Sequence, residues 1–91
     1  MKKKIKVGII GGGQLGMMLA EASSKLNIIP LIYSNTKDAP AAKVAKVQYG
    51  DFDDIEKIKR FIKQVDLVTY EFENIPTKSL KIIEQLVPIF P

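Results

Sequence analysis

The change of hydrophobic period at GGGQLG, residues 11–16, constrains the fold of this chain most. A short β-branched run precedes the glycines and is typical of a buried parallel strand: Ile5, Val7, Ile9 and Ile10. An apolar stripe at helical spacing follows them and predicts a helix that Asn27 ends: Leu15, Met18, Leu19, Ala22 and Leu26. A strand that passes through glycines into a helix is the beginning of a βαβ unit.

The same alternation continues to the end of the chain. Apolar runs predict further strands at 28–33, 44–49, 66–70 and 87–90, and residues 34–43 are interpreted as a turn-rich loop. A second helix carries the stripe Ile55, Ile58, Phe61, Ile62 and Val65, and Asp53 with Glu56 has capping-box spacing at its start. A last helix opens at Pro76, with Leu80, Ile83 and Leu86 inside. The sequence therefore predicts one α/β, Rossmann-like domain over residues 1–91, an open parallel sheet of four to five strands flanked by helices.

Composition limits the chemistry that the chain can perform. It contains no cysteine, histidine or tryptophan, which removes thiol and histidine catalysis and the usual zinc ligands. We predict no catalytic residue and no metal site. The net charge of +4 comes largely from lysines at the amino terminus, without interleaved aromatics, so no nucleic-acid partner is expected. No apolar run suits a signal peptide or a membrane span, and the lack of cysteine fits a cytoplasmic location.

The glycine loop is suited to binding a phosphate. Gly11 permits a tight turn, Gly13 allows an anion to approach the backbone, and Gly16 lets the helix lie close to the strand. Backbone N–H groups from about residue 12 to 16 then converge at the positive end of the helix dipole. One alternative is that the glycines only form a close strand–helix junction.

A second alternative is an NADP-type nucleotide-binding half-domain. A dinucleotide fold needs an acid at the end of its second strand to hold the ribose hydroxyls. Here that strand is followed by Ser34 and Asn35, and no acid occurs before Asp38. Ser34 and Lys37 are the candidates to meet the additional phosphate of NADP.

TYEFENIP, residues 69–76, follows the fourth strand at the sheet edge where ligands bind. Glu71 and Glu73 share one face of an extended backbone, and Asn74 adds an amide. We expect the loops after the first and fourth strands to lie side by side, so that a ligand anchored at the glycine loop reaches Glu73. Alternatively, these acids are solvated loop residues or cap the following helix.

Three stretches, IGGGQLGMML, DAPAAKVA and VTYEFENIP, give the chain a family resemblance in this order and spacing. The whole chain resembles the N-terminal, pre-ATP-grasp domain of the carboxyaminoimidazole ribonucleotide synthetase family, in the ATP-grasp superfamily. That resemblance implies ATP-dependent carboxylation of aminoimidazole ribonucleotide with bicarbonate in purine biosynthesis. It implies ATP and Mg²⁺ as cofactors of the full-length enzyme and none in this chain.

The resemblance also assigns site residues. Gly13, Gln14, Leu15 and Gly16 would contact the 5′-phosphate of the ribonucleotide, mainly through backbone N–H groups. Glu73 first, then Glu71, with Asn74, would face the rest of this ligand. The family often has arginine where this chain has Met17, and aspartate where it has Ser34.

The ATP-grasp and C-terminal domains of the family are missing from these 91 residues. Phosphoryl transfer needs a clamp of cations around the phosphates, so we expect the chain alone to be inactive. It would be a piece of a larger enzyme, a truncated gene product, or one that needs a separate ATP-grasp chain. A further alternative is a structural role, with self-association through an uncovered final strand.

Overall fold

Short apolar runs form a fully parallel sheet in a computed structural model of the protein. The structure describes residues 4–11, 13–36, 39–70 and 75–90. The strands are β1 (Lys6–Ile10), β2 (Ile29–Ser34), β3 (Lys46–Tyr49), β4 (Leu67–Tyr70) and β5 (Ile89–Phe90). Their order is β3-β2-β1-β4-β5, which confirms the predicted open parallel sheet flanked by helices.

Three α-helices connect these strands: α1 (Gln14–Lys25), α2 (Ile55–Ile62) and α3 (Thr77–Leu86). The chain leaves α1 through Asn27, whose φ of 64° lies in the left-handed region that asparagine tolerates, as predicted. Within the stretch interpreted as a turn-rich loop, Pro40–Lys43 form a 3₁₀ helix that buries Ala41. Within the described ranges, no helix has the length and apolar character needed to cross a membrane.

The sheet buries apolar side chains on both faces, as a sheet between two helical layers must. One face carries the larger cluster, which includes Ile58, Phe61 and Ile62 of α2, Val65 just after that helix, and Ile83 of α3. The other carries Ile9 and Ile32 beneath Ala20 of α1 and Ala41. On the first face, the Cβ of any residue replacing Gly8 would lie 2.9 Å from a ring carbon of Phe61, so this glycine is where α2 approaches the sheet.

The predicted helix α1 is confirmed, but of its apolar stripe only Leu19 packs against the core. Leu15, Met18 and Leu26 are 50%, 60% and 72% exposed, and Ala22 is also exposed. Gly16 and Ala20 are buried instead. Small residues allow the helix backbone to lie close to the sheet, and the large side chains then fall on the outer surface. Leu86 of α3, predicted to be inside, is likewise 55% exposed.

The cap of α2 lies one residue later than the spacing predicts. Asp54, not Asp53, is the N-cap, and its side chain accepts a hydrogen bond from the Lys57 N–H at 3.2 Å. We expect Asp54→Ala to lower the free energy of unfolding by about 1 kcal/mol, because that N–H loses its acceptor. Asp53→Ala, at an exposed position, is the matched control and should change stability little. Urea denaturation of both variants checks the assignment, and equal losses would contradict it.

Candidate ligand-binding site

The candidate site lies where the chain changes direction across the sheet. β1 and β4 are neighbours, and Ile10 pairs with Tyr70 at their carboxyl ends. The segment after β1 enters α1 on one face, whereas the next helix after β4, α3, packs on the other. Such a switch point opens a crevice between the two strand ends, which is where open α/β sheets bind ligands. β1 and β4 are therefore adjacent, and the expectation that the loops after them lie side by side stays a prediction, because residues 71–74 lie outside the described residues.

The glycine loop leaves β1 in a conformation that requires glycine. Gly11 has a φ of 121°, which side-chain-bearing residues rarely adopt. Its N–H donates to the Tyr33 carbonyl at 2.8 Å, which fixes the start of the loop to β2. Gly13 is the N-cap of α1, and its carbonyl accepts the N–H of Met17 at 2.9 Å. Gly12 lies outside the described residues.

The first turn of α1 presents its backbone to the crevice. Gln14 and Leu15 are the first two helical residues and are exposed, whereas Gly16 is buried against the sheet. The N–H groups at the start of a helix carry partial positive charge. The turn contains no acidic residue, so no side-chain carboxylate within it repels an anion. The geometry suits a phosphate at this position.

The acids of the second predicted constellation lie outside the described residues. Glu71, Glu73 and Asn74 follow directly after Tyr70, the last residue of β4. Their contact with a ligand stays a prediction.

The end of β2 differs from that of a dinucleotide-binding fold. Ser34 is buried, and its Oγ accepts the Thr36 N–H at 3.2 Å. This hydroxyl therefore closes a local turn with Thr36. Lys37, the other residue that the NADP alternative requires, lies outside the described residues.

A second feature of this edge was not predicted from sequence. An open cavity of about 320 Å³ is lined by Asn35, Asp51, Phe52, Asp53 and Pro76. The sequence clue is that Asn35 and Asp51 come within two residues of the ends of β2 and β3, at the ligand-binding edge of the sheet. Two carboxylates repel an anion, so a phosphate is better placed at α1 than here. No cluster of three or more potential metal-ligating side chains occurs in the part of the chain that the structure describes.

Tyr33 organises this edge from within the core. Its ring packs against Phe52 and Phe61, with ring centres 6.1 and 5.5 Å away, and its hydroxyl donates to the Asp51 carbonyl at 2.6 Å. Burial, with the carboxylates of nearby aspartates adding to it, raises the pKa of Tyr33 to about 12. The hydroxyl therefore stays protonated at neutral pH and continues to hold the turn after β3.

Fold and glycine loop together define a class of protein, the open parallel α/β domains that carry a glycine loop at the switch point of the sheet. Residues 2–91 match the ribonucleotide synthetase preATP-grasp domain family. The chain belongs to this family.

Relatives with known names and structures agree with this assignment. An N5-carboxyaminoimidazole ribonucleotide synthase from Pseudomonas aeruginosa is 39% identical over 87 residues, which are 96% of this chain and 24% of the relative. The crystal structure of the synthetase from Thermus thermophilus has a TM-score of 0.88 at 39% identity, covering 93% of this chain and 24% of that one. The Aspergillus clavatus synthase, in complex with ADP and 5-aminoimidazole ribonucleotide, has a TM-score of 0.84 at 34% identity, covering 100% and 25%. The chain thus spans about a quarter of the length of these relatives.

Proposed function

We propose that this chain is the part of an ATP-dependent carboxylase that binds aminoimidazole ribonucleotide, the substrate that becomes N5-carboxyaminoimidazole ribonucleotide in purine biosynthesis. The observation that carries the proposal is the glycine loop and amino-terminal turn of α1, located at the switch point beside the end of β4. Support also comes from the family and from the Aspergillus clavatus relative, whose structure contains this ribonucleotide.

The 5′-phosphate binds at the first turn of α1 in this proposal. Backbone N–H groups of residues 13–16 donate to its oxygens, and the helix dipole stabilises its charge. Gly13 and Gly16 contribute by their lack of a side chain, because the backbone can then approach both the ligand and the sheet. Gln14 and Leu15, which are exposed, lie beside the phosphate.

The sugar and the aminoimidazole ring then extend from α1 toward the end of β4. Glu73 accepts hydrogen bonds from the ligand's amine or hydroxyl groups, and Glu71 and Asn74 complete that side. A carboxylate suits these donors and would repel the phosphate, so the ligand has one favoured orientation. We assign ATP and Mg²⁺ to the remainder of the full-length enzyme and expect no carboxylation by this chain alone.

An NMR titration of the ¹⁵N-labelled chain tests this function. Aminoimidazole ribonucleotide is added to one sample and NADPH to a parallel one, and backbone amide shifts are followed. Saturable shifts at residues 13–16 and at Glu73 with the ribonucleotide alone are expected. Shifts with NADPH alone would replace the proposal with the dinucleotide alternative. No shift with either compound would show that this chain does not bind the ribonucleotide by itself.

A further inference from the structure

The DAPAAKVA stretch lies in the connection from β2 to β3, and the proposed ligand site does not use it. All of the stretch except Asp38 is described, and Pro40–Lys43 form its 3₁₀ helix. Pro40 is at the start of that helix, where a ring that fixes φ suits the turn. The N–H of Ala42 donates to the Ala39 carbonyl at 3.0 Å. The segment therefore holds its own backbone in a short, defined turn.

The 3₁₀ helix and α1 lie on the same face of the sheet. α1 connects β1 to β2, and the 3₁₀ helix lies in the connection from β2 to β3, so both crossovers run in the same direction across the sheet. Right-handed crossovers that run in one direction lie on one face. The two elements contact each other, whereas α2 and α3 pack on the opposite face. In the part of the chain that the structure describes, the 3₁₀ helix is thus the one helical neighbour of α1 on its face.

Small side chains form the contact between these two elements. Ala41 and Ala20 of α1 are both 0% exposed and belong to one buried cluster, over Ile9 and Ile32 of the sheet. Protein interiors are close-packed, so a larger side chain at position 41 has to displace a neighbour. β1 and β2 each pair with strands on both sides, whereas α1 packs on the sheet through apolar contacts. α1 is therefore the element that moves.

We propose that Ala41 is a positioning residue for the phosphate site: its size sets how α1 lies on the sheet, and hence where the first turn of α1 presents its N–H groups. Gly16 belongs to that first turn and precedes Ala20 by four residues, and both are buried. Residues four apart lie on the same face of a helix, so a push on Ala20 reaches Gly16 one turn away, about 5.4 Å along the axis. This inference deepens the proposed function and rests on it.

Two valine variants at neighbouring alanines test the proposal. Ala41→Val adds volume where the side chain is buried, and Ala42→Val adds the same volume at an exposed position of the same 3₁₀ helix. NMR titration with aminoimidazole ribonucleotide should give Ala41→Val a dissociation constant about tenfold above that of the wild-type chain, because misplaced N–H groups bind the phosphate less well. Ala42→Val should bind as the wild-type chain does.

Ligand-free spectra of the same samples give a second measurement. The backbone amide signals of residues 13–16 should shift in Ala41→Val, although position 41 is distant from them in sequence. The signals of α2, on the opposite face, should stay in place. Ala41→Gly provides the same comparison without added volume, because the lost methyl group lets α1 settle differently, and it replaces the valine variant if that variant does not fold.

A compensating substitution separates positioning from stability. Ala20→Gly removes a side chain from the same buried cluster, so adding it to Ala41→Val makes room for the valine and should restore most of the ribonucleotide affinity. Glycine destabilises a helix interior, so it would not repair a variant that bound poorly because its fold was weakened.

Three results would overturn the proposal. The first is an Ala41→Val chain that binds the ribonucleotide as tightly as the wild-type chain. The second is a double variant that binds as weakly as Ala41→Val, and the third is a set of ligand-free signals at residues 13–16 that no change at position 41 moves. A wild-type chain that does not bind the ribonucleotide contradicts the proposed function instead. The ligand-free signals then decide whether Ala41 positions the first turn of α1.

Discussion

Phe61→Ala is expected to lower the free energy of unfolding by about 3–5 kcal/mol. Phe61 is 2% exposed and lies at the centre of the larger core cluster, where its ring contacts Tyr33 and covers Gly8. The substitution removes this buried surface. It leaves a cavity between α2 and the sheet, because both elements are held in place by their other contacts and cannot move together to fill it. Domains of this size have a total stability of about 5–15 kcal/mol, so the loss is a large share. Urea denaturation followed by circular dichroism measures it.

Leu86→Ala is the matched control for that experiment. Leu86 and Phe61 both lie on the apolar stripe of an amphipathic helix in the sequence pattern. In the structure, however, Leu86 is 55% exposed. The control should therefore cost well under half as much as Phe61→Ala. A loss below about 1 kcal/mol for Phe61→Ala, or equal losses for both variants, would contradict the packing of α2 against the sheet.

Gln14→Glu is expected to weaken binding of aminoimidazole ribonucleotide by about tenfold or more, without destabilising the fold. The change adds a negative charge at the first position of α1, a few ångströms from the proposed phosphate, where like charges repel. The same carboxylate interacts favourably with the helix dipole, which adds about 0.3–1 kcal/mol to helix stability. Binding and stability should therefore change in opposite directions. NMR titration and thermal unfolding of the variant measure the two quantities.

Gln85→Glu adds the same charge at an exposed position of α3 and should leave ribonucleotide binding unaltered. If Gln14→Glu binds the ribonucleotide as tightly as the wild-type chain does, the phosphate is not at the amino terminus of α1. Binding would then have to be assigned to another part of the carboxyl edge of the sheet, even if the family function were retained.

The sequence predicted the elements of this fold better than it predicted their orientation. The stripe of α2 faces the core because Ile58, Phe61 and Ile62 are all large, and no other face of that helix is apolar. In α1 two faces qualify, a large one with Met18 and a small one with Gly16 and Ala20. Periodicity favours the larger residues, but close packing on the sheet selects the smaller ones. That choice depends on tertiary contacts, which local spacing does not encode.

The candidate site was predictable to the extent that it is local in sequence. GGGQLG combines strand end, turn and helix start in six neighbouring residues, so its geometry follows from short-range rules. The hydrogen bond from the Tyr33 hydroxyl to the Asp51 carbonyl spans 18 residues and forms only when distant segments meet, whereas the turn of Ser34 onto Thr36 is local but follows from side-chain hydrogen bonding that hydrophobic spacing does not encode. Neither has a pattern that spacing along the chain would reveal.

Tyr33 has a consequence for how this edge of the molecule moves. Its carbonyl holds the N–H of Gly11, and its hydroxyl holds the carbonyl of Asp51. One residue with a buried, rigid ring therefore anchors the glycine loop and the acidic turn at once. Neither segment can shift far without breaking one of these hydrogen bonds or moving the buried ring, so we expect the start of the glycine loop and the turn after β3 to move together. A ligand that binds here meets a surface already set in shape, and less of its binding free energy is spent on ordering the protein.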